Sequence, residues 1–214
     1  MKTVIFDLFA TLTIGGADPE ARMIEKYHLS SDYHFVEKLV CGTKFVDNES
    51  YIKTVIEGIS LAYTPENIQD VSAIFENEIK KEKIHPDTEK VLAEFKSKNY
   101  KIGLISNIAT PDFDIITPSG LKKYFDAVIF SYEIGIIKPD YKIFELCLEK
   151  LGVKPAQALM IGNSLKADII GAKNAGINGI LISQEQYSFS NTDIRPYAIV
   201  PRLIDTIAAA EHYF

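Results

Sequence analysis

The chain has 214 residues, 47% hydrophobic and 24% charged, a balance that favours a packed globule over a disordered polymer. Twenty-three basic against twenty-nine acidic side chains leave a formal charge of −6, which argues against nonspecific affinity for nucleic acid or an anionic membrane surface. The two cysteines, Cys41 and Cys147, are too few for a disulfide scaffold and lack metal-site spacing, and no apolar run is long enough to span a bilayer.

A chain of this length holds either one domain or a core carrying an insertion. It begins with Val4-Ile5-Phe6, which reads as a strand covered on both faces and runs directly into Asp7. A carboxylate there needs a cation or hydrogen-bond donors, and open α/β sheets bind ligands outside the carboxyl ends of their strands. Asp7 also suits an ordinary turn. Because it interrupts the apolar stretch, the start does not read as a secretory signal, and the expected location is the cytoplasm.

Gly15-Gly16-Ala17-Asp18-Pro19 makes a flexible exit in which Asp18 and Pro19 suit a helix start. Segments near 19–28, 33–41, 49–62 and 65–83 then carry helical spacing. In the last of these, Ile68, Val71, Phe75 and Ile79 recur every three or four residues after Thr64-Pro65. Residues 15–85 are therefore expected to form a helical cap inserted into an α/β core made of 1–14 and 86–214. From His85-Pro86 onward helices and strands alternate, which predicts a doubly wound parallel sheet. Helices are expected near 87–98, 140–151 and 202–213, and strands at 101–105, 127–131, 158–161, 179–182 and 198–200.

In such a sheet Asp7, Ser106-Asn107, Lys138 and Asn163 with Asp168 all arrive at one edge. Each has a plainer reading: a surface lysine, a turn serine, or an acid favouring the positive end of its helix. A capping box does not account for Asp168, because Ser164 as N-cap would place its reciprocal acid at Ala167. His28, His34, His85 and His212 are scattered and suggest neither a metal cluster nor a triad.

The order and spacing of these segments resemble the haloacid dehalogenase-like hydrolase superfamily. Its first motif, Asp-x-Asp-x-Thr/Val, appears as Asp7-Leu8-Phe9-Ala10-Thr11, and its second, a strand ending in Ser or Thr, as Ile105-Ser106-Asn107. The third, a lysine before proline, is Lys138-Pro139, and the fourth is Gly162-Asn163-Ser164-Leu165-Lys166-Ala167-Asp168. The resemblance implies a Rossmann-like core with a cap inserted after the first motif, and a nucleophilic Asp7 that forms a covalent aspartyl intermediate. In the phosphatase branch it implies Mg²⁺ held by Asp7, Asp168, the backbone carbonyl of Phe9 and the side-chain oxygen of Asn163. Lys138 would neutralise charge, Ser106 would hydrogen-bond the transferring oxygens, and Phe9 and Asn107 would face the substrate. The implied partner is a small phosphorylated metabolite that the sequence does not name; neither nucleic acid, membrane nor a particular oligomeric state is indicated.

Three residues depart from the phosphatase pattern. Phe9 stands where most members carry a second aspartate, the general acid and base, whose assistance is typically worth about 10²–10⁴ in rate, or about 2.7–5.4 kcal/mol. Asn163 replaces an aspartate and removes one negative charge from the implied ion site. Ala10 replaces a glycine, so its backbone must be one that alanine tolerates. Phe9 also leaves open a metal-independent haloacid dehalogenase, where an aromatic is usual; Leu165 and the absence of an arginine after Leu12 count against it. A catalytically degenerate binding or regulatory protein on the same scaffold is the third reading.

Overall fold

Residues 1–29, 33–185 and 194–214 are described in the computed structural model. Strand β1 (Thr3–Phe6) is buried throughout and is followed by the two-residue β2 (Thr13–Ile14). Four helices come next: α1 (Pro19–Tyr27), α2 (Tyr33–Cys41), α3 (Asn48–Gly58) and α4 (Pro65–Ile79). The chain then returns through β3 (Lys83–Ile84) to α5 (Thr88–Ser97), β4 (Lys101–Ser106), β5 (Ala127–Phe130), the short α6 (Ser131–Ile134) and α7 (Tyr141–Leu151). It closes with β6 (Ala158–Gly162), α8 (Gly171–Asn174), β7 (Asn178–Ile182), β8 (Ala198–Val200) and α9 (Thr206–Tyr213).

Six strands form one parallel sheet in the order β5-β4-β1-β6-β7-β8. The chain leaves β1, builds outward through β4 and β5, then crosses back to begin β6 on the other side. That reversal opens a crevice at the carboxyl end of β1, between β4 and β6. Alternation along the strand divides the core: Ile5 points to the face covered by α7, whereas Val4 and Phe6 point to the face of α5. The α5 cluster continues without interruption into the cap through Met23, Val36, Tyr51, Val71 and Phe75.

The expected helix starts are present. Asp18 accepts a hydrogen bond from the Ala21 N–H at 2.8 Å, with Pro19 in the first turn, and Thr64 accepts from the Asn67 N–H at 3.3 Å. Three ends differ from expectation. The helix expected over 65–83 stops at Ile79, since Lys83–Ile84 pairs antiparallel with Thr13–Ile14 and ties the exit of the cap to its entrance. Gly15 makes this approach possible: its φ is 142°, and a Cβ there would fall 2.1 Å from the Lys81 carbonyl oxygen. The helix expected over 49–62 ends at Gly58, and the closing helix begins at Thr206 after a 3-10 turn, Leu203–Asp205. Among the described residues no helix is long and apolar enough to cross a membrane.

Ala10 lies in the left-handed region with φ 54° and its side chain is exposed. That conformation costs a non-glycine residue about 1–2 kcal/mol, whereas glycine adds about 0.5–1 kcal/mol of unfolded-state entropy. Ala10→Gly is therefore expected to raise stability by about 0.5–1 kcal/mol, read as a higher urea midpoint at unchanged m-value. A lowered midpoint would contradict the strain assigned to this turn.

Candidate active site

The site begins with three neighbouring strands that end in polar residues. Asp7 extends β1, its N–H donating to the Ile161 carbonyl at 2.9 Å, so its position is fixed by the sheet. Asn107 follows β4 and holds the backbone of Lys138 at two points: the Lys138 N–H donates to Asn107 Oδ1 at 2.8 Å, and Asn107 Nδ2 donates to the Lys138 carbonyl at 3.0 Å. Ser131, at the end of β5, fixes the adjacent loop through hydrogen bonds with the Ile108 N–H and carbonyl at 2.9 and 3.1 Å. Lys138 is thereby aimed under the sheet edge, where its Nζ donates to Asp7 Oδ1 at 2.5 Å and to Asp168 Oδ1 at 2.7 Å. Three residues far apart in sequence thus form one buried charged cluster.

Asp168 also has a second role that the sequence spacing concealed. Residues Leu165–Ile170 form a single π-helical turn, with the Ile169 N–H reaching the Ser164 carbonyl at 3.2 Å. Ser164 caps this turn by accepting from the Ala167 N–H at 3.0 Å, and Asp168 Oδ2 accepts from the Ser164 N–H at 2.9 Å. The wider turn moves the reciprocal acid from the third to the fourth residue after the cap. Contrary to the expectation from spacing, Asp168 does cap: one oxygen caps and the other binds Lys138. The π turn is a recurrent device at functional sites.

Burial sets the electrostatics. Taken alone it would push the Lys138 ammonium down, but the Asp168 and Asp7 carboxylates outweigh it and hold the pKa above the ordinary lysine range. Burial also raises Asp7 to about 6, opposed by Lys138 and assisted by Asp168. Two carboxylates against one ammonium leave the cluster one positive charge short. Nearby, Asn163 Oδ1 accepts from Thr11 Oγ1 at 3.3 Å. Among the described residues no group of three or more His, Cys, Asp or Glu is placed to hold a metal ion. The donors that are present (two carboxylates, the Asn163 amide oxygen and the Phe9 carbonyl) are all hard oxygens, the type a magnesium ion accepts alongside water and phosphate.

Above the cluster lies a cleft of about 570 Å³ whose core side includes Asp7, Phe9, Asn107, Lys138, Asn163 and Asp168. Ser106 is completely buried and does not line it; its hydroxyl lies 3.5 Å from the Asn107 carbonyl. The Asn107 amide is committed to Lys138 and, at 2.9 Å, to Glu37 of the cap. The Phe9 ring heads a chain of edge-on and tilted aromatic contacts running into the cap, Phe9–Phe113–Phe75–Tyr51, with centroids 5.8–6.3 Å apart.

The cap side of the cleft carries Asp18, Glu20, Tyr33 and Glu37; of these the sequence marks only Asp18, and that as a helix start rather than a site residue. Glu20 in particular reads as an ordinary acid in the first turn of a helix. In the structure it is only 5% exposed. Burial lifts its carboxyl to about 7; the hydrogen bond from Cys41 Sγ at 3.0 Å partly offsets this, while Asp18 and Glu37 add to it.

A sequence model described as haloacid dehalogenase-like hydrolase matches residues 1–176. The chain is 36% identical over 124 residues to glyceraldehyde 3-phosphate phosphatase of Methanothermobacter thermautotrophicus, covering 58% of this chain and 55% of that protein. It is 30% identical over 122 residues to phosphoserine phosphatase of Thermus thermophilus, covering 56% and 49%. The matches thus span about half the length of these curated relatives. Among solved structures, a HAD phosphatase from Thermococcus onnurineus superposes with a TM-score of 0.64 at 24% identity over 97% of both chains. A 2-haloacid dehalogenase from Pseudomonas syringae pv. Tomato DC3000 gives 0.69 at 20% identity over the full length of both. At those identities the two structures establish the fold and do not distinguish the chemistries.

In the folded chain Glu20 gives up its proton near pH 7 rather than at its ordinary 4.5. The stability it contributes is therefore fully present below 4.5 and is lost as pH rises through 7, a penalty on the order of 3 kcal/mol when ionised. Glu20→Gln keeps an acceptor for Cys41 and carries no charge. It is expected to raise stability by that order at about pH 8 and by far less at about pH 5 in denaturant titrations. An equal effect at both pH values would contradict the raised pKa.

Proposed function

Because the chain belongs to the haloacid dehalogenase-like hydrolases, we propose that it is a phosphatase-type hydrolase that releases phosphate from a small phosphorylated compound through an aspartyl-phosphate on Asp7. The observation that carries this reading is the buried Lys138, which holds Asp7 at 2.5 Å and Asp168 at 2.7 Å beneath an open cleft. A carboxylate fixed in this way is positioned to attack an incoming phosphoryl group, and Lys138 stays charged to meet the negative charge that develops. Mg²⁺ held by Asp7, Asp168, Asn163 and the Phe9 carbonyl would offset the repulsion between carboxylate and phosphate. Asn107 keeps Lys138 in register, and the cap covers the cleft from above.

The relatives named as phosphatases support phosphoryl rather than halide chemistry. Phe9 favours the second reading, a metal-independent dehalogenase, because a halide leaves without a proton. The two are separated by assaying phosphate release from aryl phosphate with Mg²⁺ and halide release from a 2-haloacid without it. Halide release alone would replace the phosphatase reading.

Asp7→Asn is expected to reduce Mg²⁺-dependent hydrolysis of p-nitrophenyl phosphate to background with an unchanged circular dichroism spectrum; retained turnover would remove the covalent route. Lys138→Ala leaves two buried carboxylates without their common partner. It should cost about 3–5 kcal/mol of stability and weaken inorganic phosphate binding in calorimetry; wild-type values for both would show that the cluster neither holds the fold nor meets the phosphate.

A further inference from the structure

We propose that Glu20, on the first turn of cap helix α1, is the proton donor that Phe9 cannot be. The proposal rests on the phosphatase reading above and supplies its missing step. A phosphate ester of an ordinary alcohol does not expel its alkoxide readily; the leaving oxygen must be protonated as its bond to phosphorus breaks. The residue two positions after Asp7 is a phenylalanine and offers no proton.

Geometry places Glu20 as the replacement. It lines the cleft that contains Asp7 and also a narrower recess of about 40 Å³ bounded by Phe9, Cys41 and Asn107. Glu20 and Phe9, the residue at the family's acid position, therefore line one recess opening beside Asp7's cleft. Glu20 is held there by the start of α1, where Asp18 caps and Pro19 opens the helix. Glu20 Oε1 accepts from Cys41 Sγ, and among the described residues no other side chain bonds to Oε2. A neutral carboxyl in this arrangement has Oε2 left to carry the proton.

The other ionisable groups on the cap side hold other partners. Asp18 Oδ1 accepts from both the Ala21 N–H and Tyr33 Oη, so this acid serves as the cap of α1 and the phenol's proton is directed to it. Glu37 accepts from Asn107 at Oε1, and its Oε2 is 3.3 Å from His34 Nδ1. Burial and the neighbouring Glu20 raise the Cys41 thiol well above its ordinary range. His34 is the rival donor, with a side chain 38% exposed and paired with Glu37. No lysine or arginine side chain is paired with Glu20 among the described residues; burial, with Asp18 and Glu37 close by, lifts it to about 7. A group poised there is protonated often enough, and acidic enough, to serve near neutral pH.

The proton balance closes. A carboxylate oxygen of Asp7 bonds to phosphorus as the ester P–O bond breaks, and the leaving oxygen keeps that electron pair and takes the Glu20 proton, departing as neutral alcohol. Glu20, now a carboxylate, then accepts a proton from a water molecule whose oxygen attacks phosphorus. The Asp7–phosphorus bond breaks, phosphate leaves, and both side chains return to their starting states.

The test compares two esters on the full chain with Mg²⁺: p-nitrophenyl phosphate, whose phenolate leaves without a proton, and glycerol 2-phosphate, whose alkoxide needs one. The readout is kcat/KM, which reports steps up to formation of the aspartyl-phosphate. Glu20→Gln is expected to lower kcat/KM for the glycerol ester by about 10²-fold or more and for the nitrophenyl ester by much less. Glu20→Asp should recover part of the loss, and the alkaline limb of the glycerol-ester profile near pH 7 should vanish in Glu20→Gln. Equal losses on both esters, no loss on either, or a selective loss produced by His34→Gln instead would overturn the donor role. A wild-type chain that hydrolyses neither ester in an Asp7-dependent way would overturn the phosphatase reading, and the donor role with it.

Discussion

One ammonium group, that of Lys138, holds the site together. Burying two carboxylates at the end of a covered strand would be prohibitive without a cation between them, and Lys138 bonds to both within 2.7 Å. Its placement is in turn over-determined. Asn107 after β4 holds its backbone at two points, and the Ser131 hydroxyl after β5 fixes the loop that carries Asn107. Asp168, within the π turn, is anchored by the N–H of Ser164, the residue that caps it. The parallel register of β1 with β4 and β6 brings these pieces to a common edge. Sheet topology and site electrostatics are consequently one constraint.

The cluster also shapes what the cleft can accept. It carries one more negative than positive charge, and the cap adds Asp18, Glu20 and Glu37 above it. On the proposed reading, an anionic substrate entering such a space would need a cation, which the oxygen donors around Asp7 and Asp168 would hold. The same excess of carboxylates favours a protonated acid on the cap, and Glu20 is the one most deeply buried among them. Phe9 joins the aromatic chain through Phe113 and Phe75 that seats the cap on the core. The position two residues after Asp7 is here given to packing.

Much of this was legible in the sequence. Strand-terminal Asp7, Asn107 and Asn163 and the loop lysine Lys138 sit where short apolar strands stop, and apolar strands are the clearest local signal in a parallel sheet. Helices α1 and α4 announced themselves through Asp18-Pro19 and Thr64-Pro65. What was hidden has physical reasons. The β2–β3 ribbon is two residues on each side, too short to show alternation, and its existence depends on a backbone approach at Gly15. The π turn shifted a capping partner by one residue, so the ordinary spacing rule passed over Asp168. Glu20 carries no local mark at all, because its burial is created by α2 packing across α1. Ser106 was expected to hydrogen-bond the transferring oxygens, but it ends a strand that is buried from Ile102 onward and is itself fully buried.

The proposed chemistry turns on whether Asp7 becomes covalently linked to phosphorus. Acid quenching of the wild-type chain during turnover of an aryl phosphate with Mg²⁺, followed by mass spectrometry of its peptides, reads this directly. On the proposed mechanism, one phosphoryl increment is expected, confined to the peptide containing Asp7 and lost when the quenched sample is treated with hydroxylamine. Steady phosphate release with no increment on that peptide, or with the increment on another residue, would contradict it.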